Sequence, residues 1–146
     1  MNPTSRLIYS VIFYTLTPLI VARLLYRAIK APAYRLRWAE RFGFVASAHS
    51  PKQTIWLHAV SVGETLAAVP LVKALQEKYP DYRLTVTCMT PTGSERVKAA
   101  FGVSVDHCYA PYDMPDAVAR FLNLVQPKVL IIMETELWPN TIAACH

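Results

Sequence analysis

The sequence predicts an α/β protein built on a doubly wound parallel sheet, and three observations lead to that class. From residue 54 onward, short apolar runs alternate with stretches of helical periodicity in the order β-α-β-α-β-α-β-α. Right-handed helical crossovers turn such an order into a parallel sheet with helices on both faces. One run, Val129–Met133, is apolar at every position, as is typical of a buried parallel strand.

Composition excludes several other classes of protein. The 146 residues are 53% hydrophobic and 17% charged, which excludes a disordered chain. Three cysteines without a CxxC spacing exclude a disulfide scaffold and the common zinc ribbons. Residues 1–45 contain seven basic residues and one acidic residue, whereas residues 46–146 contain eight and nine. This distribution favours a membrane surface as a partner, and not nucleic acid, whose domains spread basic residues over a folded face.

The first predicted element is a helix over Leu7–Ala22, which contains no charged residue. With Arg23 snorkelling, the apolar stretch reaches Tyr26 and about 30 Å, the thickness of the hydrocarbon core. Pro18 would kink this helix, which membrane helices tolerate. Three interpretations stay open, namely a cleaved signal peptide, a buried amphipathic core helix and a membrane anchor. The basic flank favours the anchor, with the following residues on the cytoplasmic side.

A basic, aromatic connector follows at Ala31–Ser50, where Arg35, Arg37 and Arg41 alternate with aromatic residues. It is interpreted either as a short amphipathic helix packed on the domain or as a surface for anionic lipid head groups. The chain is thus divided into an anchor with its basic flank (1–30), a connector (31–53) and a sheet domain (54–146).

The elements of the sheet domain are predicted from the spacing of apolar residues and from prolines and glycines at the element boundaries. Pro80–Asp81 ends the first helix, Gly102 is placed as the cap of the second, and Pro127 separates the third helix from the last strand. The predicted strands are Ile55–Ala59, Arg83–Cys88, Ser104–Tyr109 and Val129–Met133, and the predicted helices are Glu64–Tyr79, Ser94–Phe101, Pro115–Val125 and one that begins at Pro139.

Sites in doubly wound sheets gather in the loops after the strands, and the first such loop is HAVSVGE. Ser61 and Glu64 match a capping box at the start of a helix. The functional interpretation is that Glu64 acts as a general base on a hydroxyl, while Gly63 lets another molecule approach the backbone. Sequence physics alone favours the capping interpretation.

The second loop is MTPTGSE, in which Thr92 and Glu95 repeat the capping-box spacing. Hydroxyls of this loop, including that of Thr92, and the N–H of Gly93 are candidates to hold a phosphate or a sugar hydroxyl. An ordinary strand-to-helix turn explains the same residues.

The third loop, ETELWPN, places two carboxylates directly after an apolar strand. In a strand-like stretch Glu134 and Glu136 would share a face and work as acid and base or stabilise a developing positive charge. A metal site is the weakest alternative, because no histidine lies nearby. Trp138 is interpreted as a core residue or as a stacking surface for a sugar. His58, Cys88 and Cys108 are expected to be core residues, and His49, His107 and His146 have no ligand spacing.

Five stretches together resemble the N-terminal half of the 3-deoxy-D-manno-octulosonic acid (Kdo) transferases of Gram-negative lipopolysaccharide synthesis. They are KAPAYRLRWAERFGF, HAVSVGETLAAVPLVKAL, TVTCMTPTGSERV, PYDMPDAVARFL and METELWPN. The resemblance implies a GT-B glycosyltransferase of two Rossmann-like domains, bound to the cytoplasmic face of the bacterial inner membrane. Its N-terminal domain would hold a lipid A precursor, and its C-terminal domain would hold the donor CMP-Kdo.

The resemblance also implies the roles of individual residues. Glu64 would be the general base and Glu134 the second carboxylate near the reaction centre, in an inverting transfer without a metal or other cofactor. Ser61, Gly63, Thr92, Gly93 and Glu136 are the candidate substrate-binding residues.

The family is roughly two domains long, so the chain is interpreted as a fragment, a truncated product or half of a split gene, and it is expected to be inactive alone. Two alternatives stay open, namely another GT-B lipid glycosyltransferase and a non-catalytic, membrane-attached lipid-binding domain.

Overall fold

The structure, a computed structural model, describes residues 2–46 and 52–146. The end of the predicted connector, with His49, lies outside the described residues. The elements are α1 (Pro3–Lys30), two short 3-10 helices (Pro32–Arg35 and Trp38–Phe42), β1 (Thr54–His58), α2 (Val62–Lys78), β2 (Arg83–Cys88), α3 (Pro91–Phe101), β3 (Asp106–Tyr109), α4 (Pro115–Val125), β4 (Pro127–Ile132) and α5 (Pro139–Cys145).

The four described strands form one parallel sheet in the order β3-β2-β1-β4. On one face, Leu57 and Val86 pack with Val72 of α2 and Val97 of α3. On the other face, Trp56 packs on Phe121 of α4, with ring centroids 4.6 Å apart. Helices therefore cover both faces, which confirms the predicted α/β class. Cys88 and Cys108 are buried in this core, as predicted.

The last strand differs from its prediction. β4 lies at an edge of the sheet, and Val129 is 49% exposed, so the expectation of a strand buried on both faces is wrong for the described residues. An apolar sequence shows that a strand is compatible with burial on both faces, but it does not show which other elements pack against the strand. The strand also begins earlier than predicted, at Pro127, because proline is tolerated at the first strand position.

The N-terminal helix α1 is long and apolar enough to cross a membrane by length and composition, and it is the one such helix among the described residues. It lies along the domain with Leu24 packed on Tyr112, Met114 and Ala117. Its buried residues are few, so the interpretation of α1 as a core helix is wrong. The outward side remains apolar, with Leu7, Ile12, Leu19 and Ile29 all more than half exposed. The structure thus supports α1 as a candidate membrane anchor.

The connector packs on the domain, as one of its two interpretations predicts, although as 3-10 turns instead of an amphipathic helix. Arg37 has a left-handed backbone and forms an ion pair with Glu40 at 2.7 Å. Arg41 is buried. These two side chains therefore point inward, and neither is part of an outward surface of the connector.

Candidate functional site

The carboxyl ends of the strands open into a cavity of about 510 Å³ beneath α1. The strand-end loops contribute Val60, Thr90 and Trp138 to its wall. The opposite wall is α1, through residues that include Phe13, Ile20 and Arg23. The site therefore lies between the edge of the sheet where loops meet and the candidate membrane anchor.

Glu64 lies at the start of α2 and is 4% exposed. Its two carboxylate oxygens accept the backbone N–H groups of Val60 at 2.8 Å and Ser61 at 3.1 Å, and its own N–H donates to Ser61 Oγ. The predicted capping box is thus confirmed in both directions. A carboxylate offers about four lone-pair positions, so these two bonds leave each oxygen able to accept another donor.

His58 lies close to this carboxylate at the end of β1 and is 1% exposed. Its Nδ1 lies 3.0 Å from Thr87 Oγ1, which also accepts the indole N–H of Trp56. Its Nε2 has no hydrogen-bond partner among the described residues. The Trp138 ring packs against the imidazole, with centroids 4.6 Å apart. The predicted core position is confirmed, but only one of the two ring nitrogens is satisfied.

Burial lowers the pKa of His58 to about 4, against a weaker opposing effect of Glu64. The unfolded chain therefore binds a proton at His58 between about pH 6.5 and pH 4 that the folded chain does not. The stabilisation from neutral His58 is complete above pH 6.5 and falls as the pH approaches 4, by about 3 kcal/mol.

We expect the variant His58→Phe to lose less stability than the wild type between pH 7 and pH 4.5, because phenylalanine does not titrate. Denaturant unfolding of both proteins at the two pH values measures the difference. The lowered pKa of His107 affects both proteins equally. Parallel pH profiles would contradict the assignment to His58.

The second loop is organised differently from its prediction. Thr90, not Thr92, caps α3, and its Oγ1 accepts the N–H of Gly93 at 3.1 Å. The capping box between Thr92 and Glu95 is therefore wrong, because the helix begins at Pro91, one residue before the predicted cap. The Gly93 N–H already has a partner, and the residue is buried, so it is not the accessible donor that was expected.

The third loop turns immediately after β4. Glu134 is exposed and has a left-handed backbone with φ of 57°. Glu136 accepts the indole N–H of Trp138 at 2.8 Å. The predicted common face of the two glutamates depended on an extended backbone, and the turn removes it. Trp138 is half-buried between His58 and the cavity, so it is not a fully buried core residue, and its role as a stacking surface stays a prediction.

Asp113 was not predicted from the sequence. It lies in the loop after β3, and its side chain is buried, with 2% exposure. Its carboxylate accepts the N–H groups of Asn140 and Thr141 at 2.9 and 2.7 Å and also the Thr141 hydroxyl. Asp113 therefore caps α5, which has no capping side chain of its own. A partner 27 residues away gives no local signal in the sequence.

The predicted site residues surround the cavity without lining it. Ser61, Gly63, Glu64, Thr92, Gly93, Glu134 and Glu136 lie in the three strand-end loops, whereas the walls are formed by their neighbours. The sequence thus locates the correct edge of the sheet, and the packing of α1 decides which residues face the space.

The fold and the cavity define the class of the protein, an α/β domain with a cavity where the carboxyl ends of parallel strands meet, the usual place for a ligand in such sheets. Residues 36–146 match the family described as 3-deoxy-D-manno-octulosonic-acid transferase (kdotransferase). The chain belongs to this glycosyltransferase family, as the resemblance of its motifs predicted.

Individual relatives agree with the family match. The chain is 52% identical to the 3-deoxy-D-manno-octulosonic acid transferase of Haemophilus influenzae over 138 residues, covering 94% of this chain and 32% of the relative. It is 39% identical to a probable mitochondrial 3-deoxy-D-manno-octulosonic acid transferase of Arabidopsis thaliana, covering 94% and 31%. For the transferase of Bordetella pertussis the identity is 38%, covering 97% and 34%. The chain spans about a third of the length of these relatives, at their N-terminal end.

Proposed function

We propose that the chain is the acceptor-binding half of a Kdo transferase, which transfers Kdo from CMP-Kdo to a lipid A precursor. The observation that carries this proposal is the cavity of about 510 Å³, which has strand-end loops on one side and the apolar helix α1 on the other. An acceptor with acyl chains in the bilayer would reach the reactive edge of the sheet without leaving the membrane. The donor would be held by a second domain of the kind the family supplies.

The chemistry proposed for Glu64 is that of a general base. A hydroxyl of the acceptor would lose its proton to Glu64 as its oxygen attacks the anomeric carbon of Kdo, and CMP would leave with its bonding electron pair. Inversion follows from a single displacement, and no metal or other cofactor is invoked. The capping bonds orient the carboxylate and leave lone pairs to accept the proton.

Glu134 is the second carboxylate of the proposal, because it follows β4 at the same edge of the sheet. It is exposed, so it is accessible to a donor held by a facing domain. Ser61, Gly63, Thr92 and Glu136 are proposed to contact substrate from the three loops. Thr92 is exposed at the start of α3, whereas the buried Gly93 is proposed only to shape the turn.

Membrane association is proposed to follow from α1, with the domain on the cytoplasmic face of a bacterial inner membrane. Apolar side chains on the outward side of α1 are exposed along most of its length, including Leu7, Val11, Leu19 and Ile29. The opposite side of α1 packs against the domain. Because only one side of the helix is free to contact lipid, this packing favours a helix that lies in one leaflet over a helix that crosses both.

Reconstitution tests the proposal. The 146-residue polypeptide is mixed with CMP-Kdo and a lipid A precursor, with and without a separately expressed remainder of the Haemophilus influenzae relative. We expect transfer only when both polypeptides are present, because the donor site lies in the supplied part. Each polypeptide alone is the control. Turnover by the 146 residues alone would contradict their role as an acceptor half, and so would failure of every reconstitution.

A non-catalytic lipid-binding domain is the second candidate, and one observation favours it. Both oxygens of Glu64 are engaged in its own helix cap, in a position that is 4% exposed. If capping is the only role of Glu64, the domain binds lipid and does not activate it. The variant Glu64→Gln separates the two candidates through its rate and its stability.

A further inference from the structure

Three arginines line the cavity beneath α1 without a carboxylate partner. Arg23 and Arg27 come from α1, and Arg41 comes from the second 3-10 helix. None of them forms an ion pair within residues 2–46 and 52–146. A largely apolar and aromatic cavity therefore has three cationic side chains in its walls, contributed by two elements.

Arg41 is the most deeply buried of the three arginines, with 2% exposure, so it loses the most hydration. Its Nη1 donates to the Met89 carbonyl at 3.0 Å, and its guanidinium lies over the Tyr109 ring at 4.2 Å. Its Nε has no hydrogen-bond partner among the described residues. Burying a cation without an anion is costly, since neither a carbonyl nor a ring replaces the lost hydration fully. An anionic ligand would offset that cost.

The two arginines of α1 lie near Arg41 through shared tyrosines. Arg41 hydrogen bonds to Tyr112, and Arg23 is close enough to act electrostatically on the same hydroxyl. Arg27 donates to the Tyr34 hydroxyl at 3.0 Å. All of these side chains line the cavity. The one acidic residue in its described wall, Asp113, accepts three hydrogen bonds from α5 and forms no ion pair with any of the three arginines.

We propose that Arg23, Arg27 and Arg41 bind a phosphomonoester on the head group of the lipid acceptor. A phosphomonoester carries nearly two negative charges at neutral pH and three strong acceptor oxygens, which suits several guanidinium groups better than one carboxylate does. The apolar side chains of α1 beside the arginines, Phe13, Ile20 and Leu24, would contact the adjoining acyl chains. This inference rests on the proposed function in one respect, namely that the acceptor is an amphiphile.

Binding of dodecyl phosphate to the full chain in uncharged detergent micelles tests the site. Tryptophan fluorescence is the readout, because Trp138 lines the cavity. The variant R23Q/R27Q removes two charges from α1 at the cavity. The control R6Q/K30Q removes two charges from the same helix at positions that do not line this cavity. We expect R23Q/R27Q to weaken binding at least tenfold and the control to change it less than twofold.

Arg41 is tested by R41K, which keeps the charge but removes the planar fork of donors. We expect at least a fivefold weakening of dodecyl phosphate binding, with the folded state checked by circular dichroism. If R41K does not fold, the two exposed arginines of α1 still decide the question. Equal losses in R23Q/R27Q and R6Q/K30Q would overturn the proposal, because they would indicate only general attraction to a basic helix.

A second arm uses inorganic phosphate to identify the source of the ligand. A lipid head-group site predicts that dodecyl phosphate binds at least tenfold more tightly than inorganic phosphate, and equal affinities would overturn that assignment. The two experiments can fail separately. If R23Q/R27Q binds dodecyl phosphate as the wild type does while the reconstituted transferase is active, this site is refuted and the proposed function stands. If dodecyl phosphate binds as expected but every reconstitution fails, only the proposed function is refuted.

Discussion

The variant Glu64→Gln in the reconstituted transferase is expected to lower turnover by about 100-fold or more, the usual scale for a lost general base. Glutamine has nearly the same shape and its carbonyl still accepts one of the two N–H groups that hold the carboxylate. It has no basic oxygen to take the acceptor proton. Acceptor binding is therefore expected to change little. Initial rates and acceptor affinity, measured on the same preparation, test both expectations.

The matched control is Glu95→Gln, which removes an exposed carboxylate from the neighbouring helix α3. We expect it to keep its rate within about twofold, as for an exposed group that contacts no reacting atom. If Glu64 only caps α2, the variant Glu64→Gln loses about 1 kcal/mol of stability and retains its rate. Thermal unfolding of the two variants, compared with their rates, distinguishes a base from a cap. A normal rate beside a lowered melting temperature would favour the non-catalytic candidate.

The variant Gly43→Ala is expected to destabilise the domain by about 3 kcal/mol or more, among the larger effects of a single substitution. Gly43 ends the second 3-10 helix with φ of +84°. A Cβ added there would lie 2.1 Å from the backbone oxygen of Ala117. Two penalties therefore combine, a left-handed backbone for alanine and a collision with the backbone of α4. Chemical unfolding in detergent measures the loss.

Gly102→Ala provides the matched control, since Gly102 also has a positive φ, of +56°, but a Cβ there meets no atom within 4 Å. We expect it to cost about 1–2 kcal/mol, the penalty of the backbone alone. The difference between the two variants isolates the close approach of the connector to α4. Equal losses would show that the connector does not pack against α4 as described.

Much of the fold was predictable because its signals are local. The helix Pro115–Val125 and the strand Arg83–Cys88 have the bounds that period and proline placement predict. The capping box of Ser61 and Glu64 is likewise a relation between residues three apart. The exposure of β4 was not predictable in this way, because it depends on which strands lie beside it.

The candidate site was predictable only as an edge of the sheet. The pairing of Glu134 with Glu136 failed because the backbone turns at Glu134, and no residue there requires a positive φ. The roles of Asp113 and Arg41 depend on contacts between distant parts of the chain. Arg41 in particular reads as one of several surface cations in the sequence, and its burial is known only once α1 and the sheet are packed together.

Ser10 of α1 donates a hydrogen bond of 3.1 Å to Asn140 of α5, and this contact has a consequence for the proposed membrane attachment. Asn140 in turn donates to the Asp113 carbonyl, so α1 and the loops around the cavity are joined by consecutive polar contacts. If α1 lies in the lipid as proposed, these contacts would hold the domain at a fixed height above the acyl chains. Acceptors would then be distinguished by how far their reactive alcohol projects from the lipid surface.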